Sequence, residues 1–362
     1  MSLLRILIID GASAMRQAIS VALRKDARLD VVGAMASGML ALARLEELRP
    51  DVVLLDVAED REGLQTLARL RESQPTLPII IFSQLASRGS QVTVDALMLG
   101  ATAYVTKPVS NAELDACVSR ELIPKINAVA GSSPEKPARV SRPVVASDDS
   151  FVRPRAELVA IATSTGGPKA LSVVLSSLPA SFSTPIVIVQ HMAMGFTAGL
   201  AESLRRQAGR DVREVNASQP LQAAPIWLAA GGRHLVLARD GGVTHVRPDN
   251  SPLENECRPS ADVLFRSIVE IYGSRCLVVV LTGMGCDGLS GCRSIRQAGG
   301  QIIVQDEASS VAWGMPGQVA SAGLADAVVP LTGIANEIMR RVRGGESMTG
   351  SGHSAVERRA GQ

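Results

Sequence analysis

The stretch Glu157–Leu175, ELVAIATSTGGPKALSVVL, is an apolar run, a turn of hydroxyls and glycines, and a helix opened by Pro168. A short run that is apolar on both faces reads as a buried strand of a parallel sheet, and a proline in the first turn suits a helix start. The same alternation continues downstream through PIVIVQ (Pro185–Gln190), APIWLAA (Ala224–Ala230), RCLVVVLTG (Arg275–Gly283) and GQIIVQD (Gly300–Asp306). HLVLARDGGVTHVRP breaks the pattern, because Asp240-Gly241-Gly242 is hairpin chemistry. Upstream lies a second series: Leu4–Asp10, Leu29–Met35, Pro50–Val57, Pro78–Ser83 and Thr102–Pro108, with helical patterns between. The expected fold class is therefore α/β twice over. An N-terminal five-stranded parallel doubly wound domain spans 1–123, and a Rossmann-like parallel-sheet domain with a small hairpin spans 156–343. Residues 124–155, rich in Pro, Ser and charge, read as a linker, and 344–362 as a disordered tail.

Composition narrows the function classes. The 362 residues are 46% hydrophobic, 20% charged and only 2% aromatic, with a net charge of +2. This excludes disordered, fibrous and disulfide-scaffold classes. With no basic stripe and few stacking aromatics, nucleic acid is not an expected partner. The five cysteines (Cys117, Cys257, Cys276, Cys286, Cys292) form no CxxC pair. That speaks against zinc, and Cys286 and Cys292 read as small buried thiols. No window is long and apolar enough for membrane insertion, and a cytoplasmic location is expected.

Chemistry in such sheets gathers at the carboxyl ends of the strands. The turn after Glu157–Thr163 fits either a phosphate cradle or a nucleophile elbow displaying Ser164, and it matches no strict motif of either kind. A nucleophilic serine needs a base and a group to orient that base. Among four histidines, His191 follows a strand directly, whereas His234, His245 and His353 lie after a glycine pair, in the hairpin and in the tail. Asp287, in LTGMGCDG, is the matching carboxylate. Backbone N–H groups at Thr165, Met284 and Gly285 are candidates for an oxyanion hole. In the first domain the strand ends carry Asp10, Asp56, Ser83 and Lys107, a set suited to a phosphorylatable aspartate with its sensing hydroxyl and neutralising cation.

The stretch VTVDALMLGATAYVTKPV makes the first domain resemble a response-regulator receiver. The resemblance implies Asp56 as phosphoacceptor, Ser83, Tyr104 and Lys107 as switch residues, and Mg²⁺ held at Asp10 and Asp56. Gly11 stands where such domains carry a second acid, which weakens the metal site, and Glu59 or Asp60 would have to substitute. Further on, ATSTGGPKAL, VQHMAMGFTAGLAESL, LAAGGRHL, RPSADVLFRS, LTGMGCDG and SSVAWGMPGQVASAGLADAVVPL together resemble the chemotaxis protein-glutamate methylesterase (CheB) family. Ala162 and Ala230 depart mildly from that pattern.

What the resemblance implies is hydrolysis of glutamate γ-methyl esters on chemoreceptor cytoplasmic domains, with release of methanol, often joined by glutamine deamidation. It also implies a Ser164–His191–Asp287 triad that needs no cofactor, a chemotaxis histidine kinase as partner, and a receiver that covers the site until it is phosphorylated. Two other readings stay open here. One is a receiver-linked serine hydrolase acting on a different ester or amide. The other is a non-catalytic signalling module.

Overall fold

In the computed structural model, which describes residues 3–57, 62–84, 90–130 and 154–343, the apolar runs form two parallel sheets covered by helices. The first sheet holds β1 (Leu4–Ile9), β2 (Leu29–Met35), β3 (Val52–Leu55), β4 (Ile79–Ser83) and β5 (Ala103–Thr106), in the order β2-β1-β3-β4-β5. Every residue of β3 and β4 is buried, which is why those runs show no polar alternation.

The second domain contains β6 (Leu158–Thr163), β7 (Ile186–Gln190), β8 (Val212–Val215), β9 (Gln219–Pro220), β10 (Ile226–Ala229), β11 (His234–Asp240), β12 (Val243–Asp249), β13 (Cys276–Val280), β14 (Gln301–Gln305) and β15 (Ala327–Val329). Its parallel sheet runs β15-β14-β13-β6-β7-β10-β8. From the central β6 the chain first builds outward through β7, then returns to add β13 on the other side. The crevice at that reversal is where open α/β sheets bind ligands. The sequence reading found five of these seven strands. It missed β8 and β15, which are short, partly exposed edge strands without a continuous apolar run. The hairpin of β11 and β12 turns on Gly241 and Gly242, both at positive φ, and β9 adds a third strand to it.

One boundary needs correction. The linker expected from residue 124 starts later, because a single helical run extends from Asn111 to Ala130 and buries Ile126 and Val129 in the first domain. Pro124 looked like a terminator. It is accommodated just beyond a π-turn at Val118–Leu122, where the Ile123 N–H reaches back to the Val118 carbonyl. Of the rest of the expected linker, residues 131–153 lie outside the described residues, as does the expected tail (344–362).

The domains meet through one continuous apolar cluster. Helix Gln91–Met98 packs on helices Gly167–Ser177 and Phe196–Ala208, so that Leu97 and Met98 share a core with Phe196 and Leu200. Polar contacts stitch the same seam. Gln91 Nε2 donates to Ser203 Oγ at 3.1 Å, and the Gly166 N–H donates to the Thr102 carbonyl at 3.1 Å.

Candidate active site

Ser164, His191 and Asp287 follow β6, β7 and β13, three strands that lie side by side in the sheet. The turn bearing Ser164 is clamped to the loop after β13: the Ser164 N–H and the Thr163 hydroxyl both donate to the Thr282 carbonyl, at 3.0 and 2.9 Å. The Thr282 hydroxyl in return donates to the Thr165 carbonyl at 2.9 Å. Helix Gly167–Ser177 then starts from Gly166 at φ +80, a left-handed conformation suited to glycine.

Asp287 is almost fully buried, and five donors converge on its carboxylate, the Asp262 N–H among them at 3.3 Å from Oδ1. His191 Nε2 lies 2.7 Å from Oδ2, and the Ala261 N–H donates to the same oxygen at 2.6 Å. Oδ1 accepts from the Ser260 hydroxyl at 2.7 Å and from Asn255 Nδ2 at 3.0 Å. Ser260 is the N-cap of helix Ala261–Tyr272, so the carboxylate also sits at the positive end of that helix. Burial opposes ionisation, but the bond from His191, then the Ala261 N–H and Ser260 hydroxyl, hold Asp287 well below the usual carboxylate range.

For His191, burial likewise disfavours charge. Asp287 on Nε2, and then Cys257 on the other ring nitrogen, outweigh it and lift the imidazole from 6.5 to about 9. Because the carboxylate only accepts, the ring proton in the neutral form resides on Nε2, which leaves Nδ1 to act as base.

Ser164 and His191 border one cleft of about 350 Å³, together with Thr165, Gly166, Gln190, Cys257 and Arg258. Across it lie Thr102, Tyr104 and Lys125 from the first domain. Among the described residues no hydrogen bond joins Ser164 Oγ to His191, and a bond of that kind commonly tightens only when substrate arrives. Of the oxyanion candidates, Thr165 lines the cleft, whereas Met284 and Gly285 belong to the loop whose Gly283 abuts Ser164. Among the described residues, neither the Thr165 nor the Met284 N–H meets an acceptor.

Sequence reasoning missed Asn255, Cys257 and Ser260. Only Ser260 left a signal, as the capping residue ahead of ADVLF. His234 is a structural residue: it is buried, bonded through Nδ1 to the Ser260 N–H and through Nε2 to the Pro252 carbonyl. The reading of Cys286 as a buried thiol is corrected, since that loop is exposed, while Cys292 is buried.

In the first domain Lys107 Nζ bonds Asp10 at 2.6 Å and Asp56 at 2.9 Å, and the Ser83 hydroxyl donates to the Val57 carbonyl at 2.7 Å. Tyr104 faces the second domain. Its hydroxyl accepts from the Ala193 N–H at 3.2 Å, and its ring lies 4.9 Å from that of Phe196. The donor set fits Mg²⁺ poorly. Asp10 and Asp56 each already meet the Lys107 ammonium, position 11 offers no carboxylate, and among the described residues no third acidic group joins them. Glu59 and Asp60 lie outside the described residues.

A family model described as CheB methylesterase matches residues 159–338, and one described as response regulator receiver domain matches residues 6–119. A protein-glutamate methylesterase/protein-glutamine glutaminase of Trichodesmium erythraeum (strain IMS101) is 43% identical, over 93% of this chain and 99% of its own length. One of the same name from Nocardioides sp. (strain ATCC BAA-499 / JS614) is 39% identical, over 94% and 95%. Among solved structures, the Thermotoga maritima CheB methylesterase catalytic domain is 36% identical, covering 51% of this chain and 97% of that one with a TM-score of 0.49.

Proposed function

This chain belongs to the CheB family of receiver-linked protein-glutamate methylesterases, and on that premise we propose that it hydrolyses glutamate γ-methyl esters on chemoreceptor cytoplasmic domains, deamidating glutamine side chains by the same acyl transfer. The observation that carries the reading is the bond between His191 Nε2 and the buried Asp287 carboxylate, inside the cleft that also holds Ser164.

In this mechanism Ser164 Oγ attacks the ester carbonyl carbon while its proton passes to His191 Nδ1. Asp287 keeps the imidazolium oriented and compensated. The N–H groups of Thr165 and Met284 receive the carbonyl oxygen as it becomes an oxyanion. Collapse of the tetrahedral intermediate expels methoxide, which leaves as methanol with the proton from His191. Water, deprotonated by the same ring, then attacks the acyl-serine and frees glutamate. With a glutamine side chain the leaving group is ammonia.

In the arrangement described here the first domain overhangs the cleft. The Thr102 carbonyl occupies the Gly166 N–H, and Tyr104 caps the Ala193 N–H. Access for a receptor helix therefore depends on parting this seam, and phosphorylation of Asp56 by a chemotaxis kinase is the route the receiver suggests.

The test is methanol release from methylated chemoreceptor. Ser164→Ala lowers the rate by roughly 10⁴–10⁶-fold, and equal rates in variant and wild type would remove Ser164 from the mechanism. Incubation with a small phosphodonor, with Asp56→Asn as the comparison, tests the receiver. Stimulation of the wild type alone is expected, and its absence would show that the seam opens by another route.

A further inference from the structure

The Cys257 sulfur lies 3.7 Å from His191 Nδ1, the nitrogen that the esterase mechanism reserves for the Ser164 proton. The thiol thus completes a second nucleophile–imidazole–carboxylate series, Cys257–His191–Asp287, sharing its last two members with the serine series. The chain is bent to place it there. Asn255 and Glu256 both take positive φ, at 51 and 61, which is uncommon away from glycine. Glu254 and Cys257 close the turn through reciprocal backbone bonds of 3.1 and 2.9 Å. The Asn255 side chain ties the turn's crest to both Asp262 and Asp287.

The surroundings suit a small ligand. Cys257 is half-buried and borders the cleft of about 350 Å³. Two other residues lining that cleft, Gln190 and Arg258, the latter next to Cys257 in the chain, each hold a buried atom, Oε1 and Nε, without a partner among the described residues. The remaining cysteines lack this setting. Burial pushes the Cys276 thiol up to about 12 and the Cys117 thiol up to about 11, and it raises the fully buried Cys292 further. Cys286 is exposed, but its thiol meets no hydrogen-bonding partner among the described residues.

We propose that Cys257 is a base-assisted nucleophilic thiol served by the His191–Asp287 pair, and that its covalent capture by a small carbon electrophile shuts the esterase. The loss of esterase activity rests on the function assigned above; the reactivity of the thiol does not. In the capture step the thiol proton moves to His191 Nδ1 and the sulfur attacks the electrophilic carbon. With iodoacetamide, the S–C bond forms as the C–I bond breaks and iodide departs. The resulting thioether blocks the cleft beside Ser164 and covers the nitrogen that Ser164 needs.

The experiment treats the full-length protein with iodoacetamide at about pH 9, where the His191 ring is substantially neutral, and follows carbamidomethylation of Cys257 and Cys286 by peptide mass spectrometry. Cys257 should label at least about tenfold faster than Cys286, since the adjacent imidazole can take the thiol proton as the sulfur attacks. Ser164→Ala should keep that ratio, and His191→Gln should collapse it. Equal labelling of the two cysteines in the wild type, a comparison that needs no variant, would overturn the proposal. So would a ratio that survives His191→Gln in a folded protein. Methanol release should fall in step with Cys257 labelling, while Cys257→Ala, compared with itself before and after the reagent, should retain its activity. Loss of activity in Cys257→Ala would overturn the link to the esterase. A wild type that labels selectively at Cys257 but releases no methanol would refute the assigned function and leave the thiol assignment standing.

Discussion

His191 is held between two groups that both favour its charged form, and this sets opposite pH responses for activity and stability. As a base the ring must be neutral, so kcat/KM for methanol release should climb with pH toward the raised value of about 9. The same shift stabilises the fold fully below the unfolded value of 6.5, and that contribution disappears as pH rises through about 9. Between these limits activity should rise while Tm falls. Asp287→Asn should lower kcat by roughly 10⁴-fold, pull the activity midpoint down toward that of an ordinary histidine, and flatten the fall in Tm. An unshifted midpoint would mean that Asp287 does not govern the imidazole. Ser164 and His191 were legible in sequence because each directly follows an apolar strand, and Asp287 because it lies in the glycine-rich loop that follows another. Asn255 and Cys257 were not, because a strained turn in an irregular segment has no periodicity to read.

At the scale of the elements, the loop after β13 and the turn after β6 behave as one clamped unit. A methyl group on Gly283 would lie 2.5 Å from Met315 Sδ, 2.9 Å from Ser164 Cβ and 3.1 Å from the Ser164 backbone nitrogen. The thioether can give way, but the Ser164 backbone cannot without breaking its bond to the Thr282 carbonyl. Gly283→Ala is therefore expected to displace the nucleophile and reduce kcat by about 10²-fold, as small misplacements of reacting groups do. Far-ultraviolet circular dichroism should stay unchanged; wild-type kcat would show that the turn absorbs the methyl elsewhere. The core strands were readable from their apolar runs, which only a sheet buried on both faces requires. The edge strands β8 and β15 and the helix continuing through Pro124 were not. In each case a neighbouring element, rather than local propensity, supplies the stabilising contacts.

For the molecule as a whole, the telling feature is that the first domain closes the cleft of the second with its own backbone and Tyr104. Tyr104→Ala removes the ring packed on Phe196 and the acceptor for the Ala193 N–H. Loss of about 1–2 kcal/mol from the seam would raise unstimulated methanol release by up to about 5- to 30-fold. Unchanged basal activity would place the barrier to substrate elsewhere. The buried Lys107, bonded to both Asp10 and Asp56, links Asp56, the proposed phosphoacceptor, to the end of β5, the strand that carries Tyr104.

The order of apolar runs, glycine turns and strand-end polar residues by itself determined two parallel α/β domains and singled out Ser164, His191 and Asp287, the residues proposed for the esterase site. Hydrophobic burial and parallel-strand geometry leave few other arrangements for such a pattern. Tertiary structure alone decided which ring nitrogen of His191 is committed to Asp287, that a helix N-terminus cradles that carboxylate, that Cys257 shares the base, and that Tyr104 faces the cleft. Each of these depends on distances between segments far apart in the chain, and hydrogen bonding and charge stabilisation change over a few tenths of an ångström that residue order does not encode.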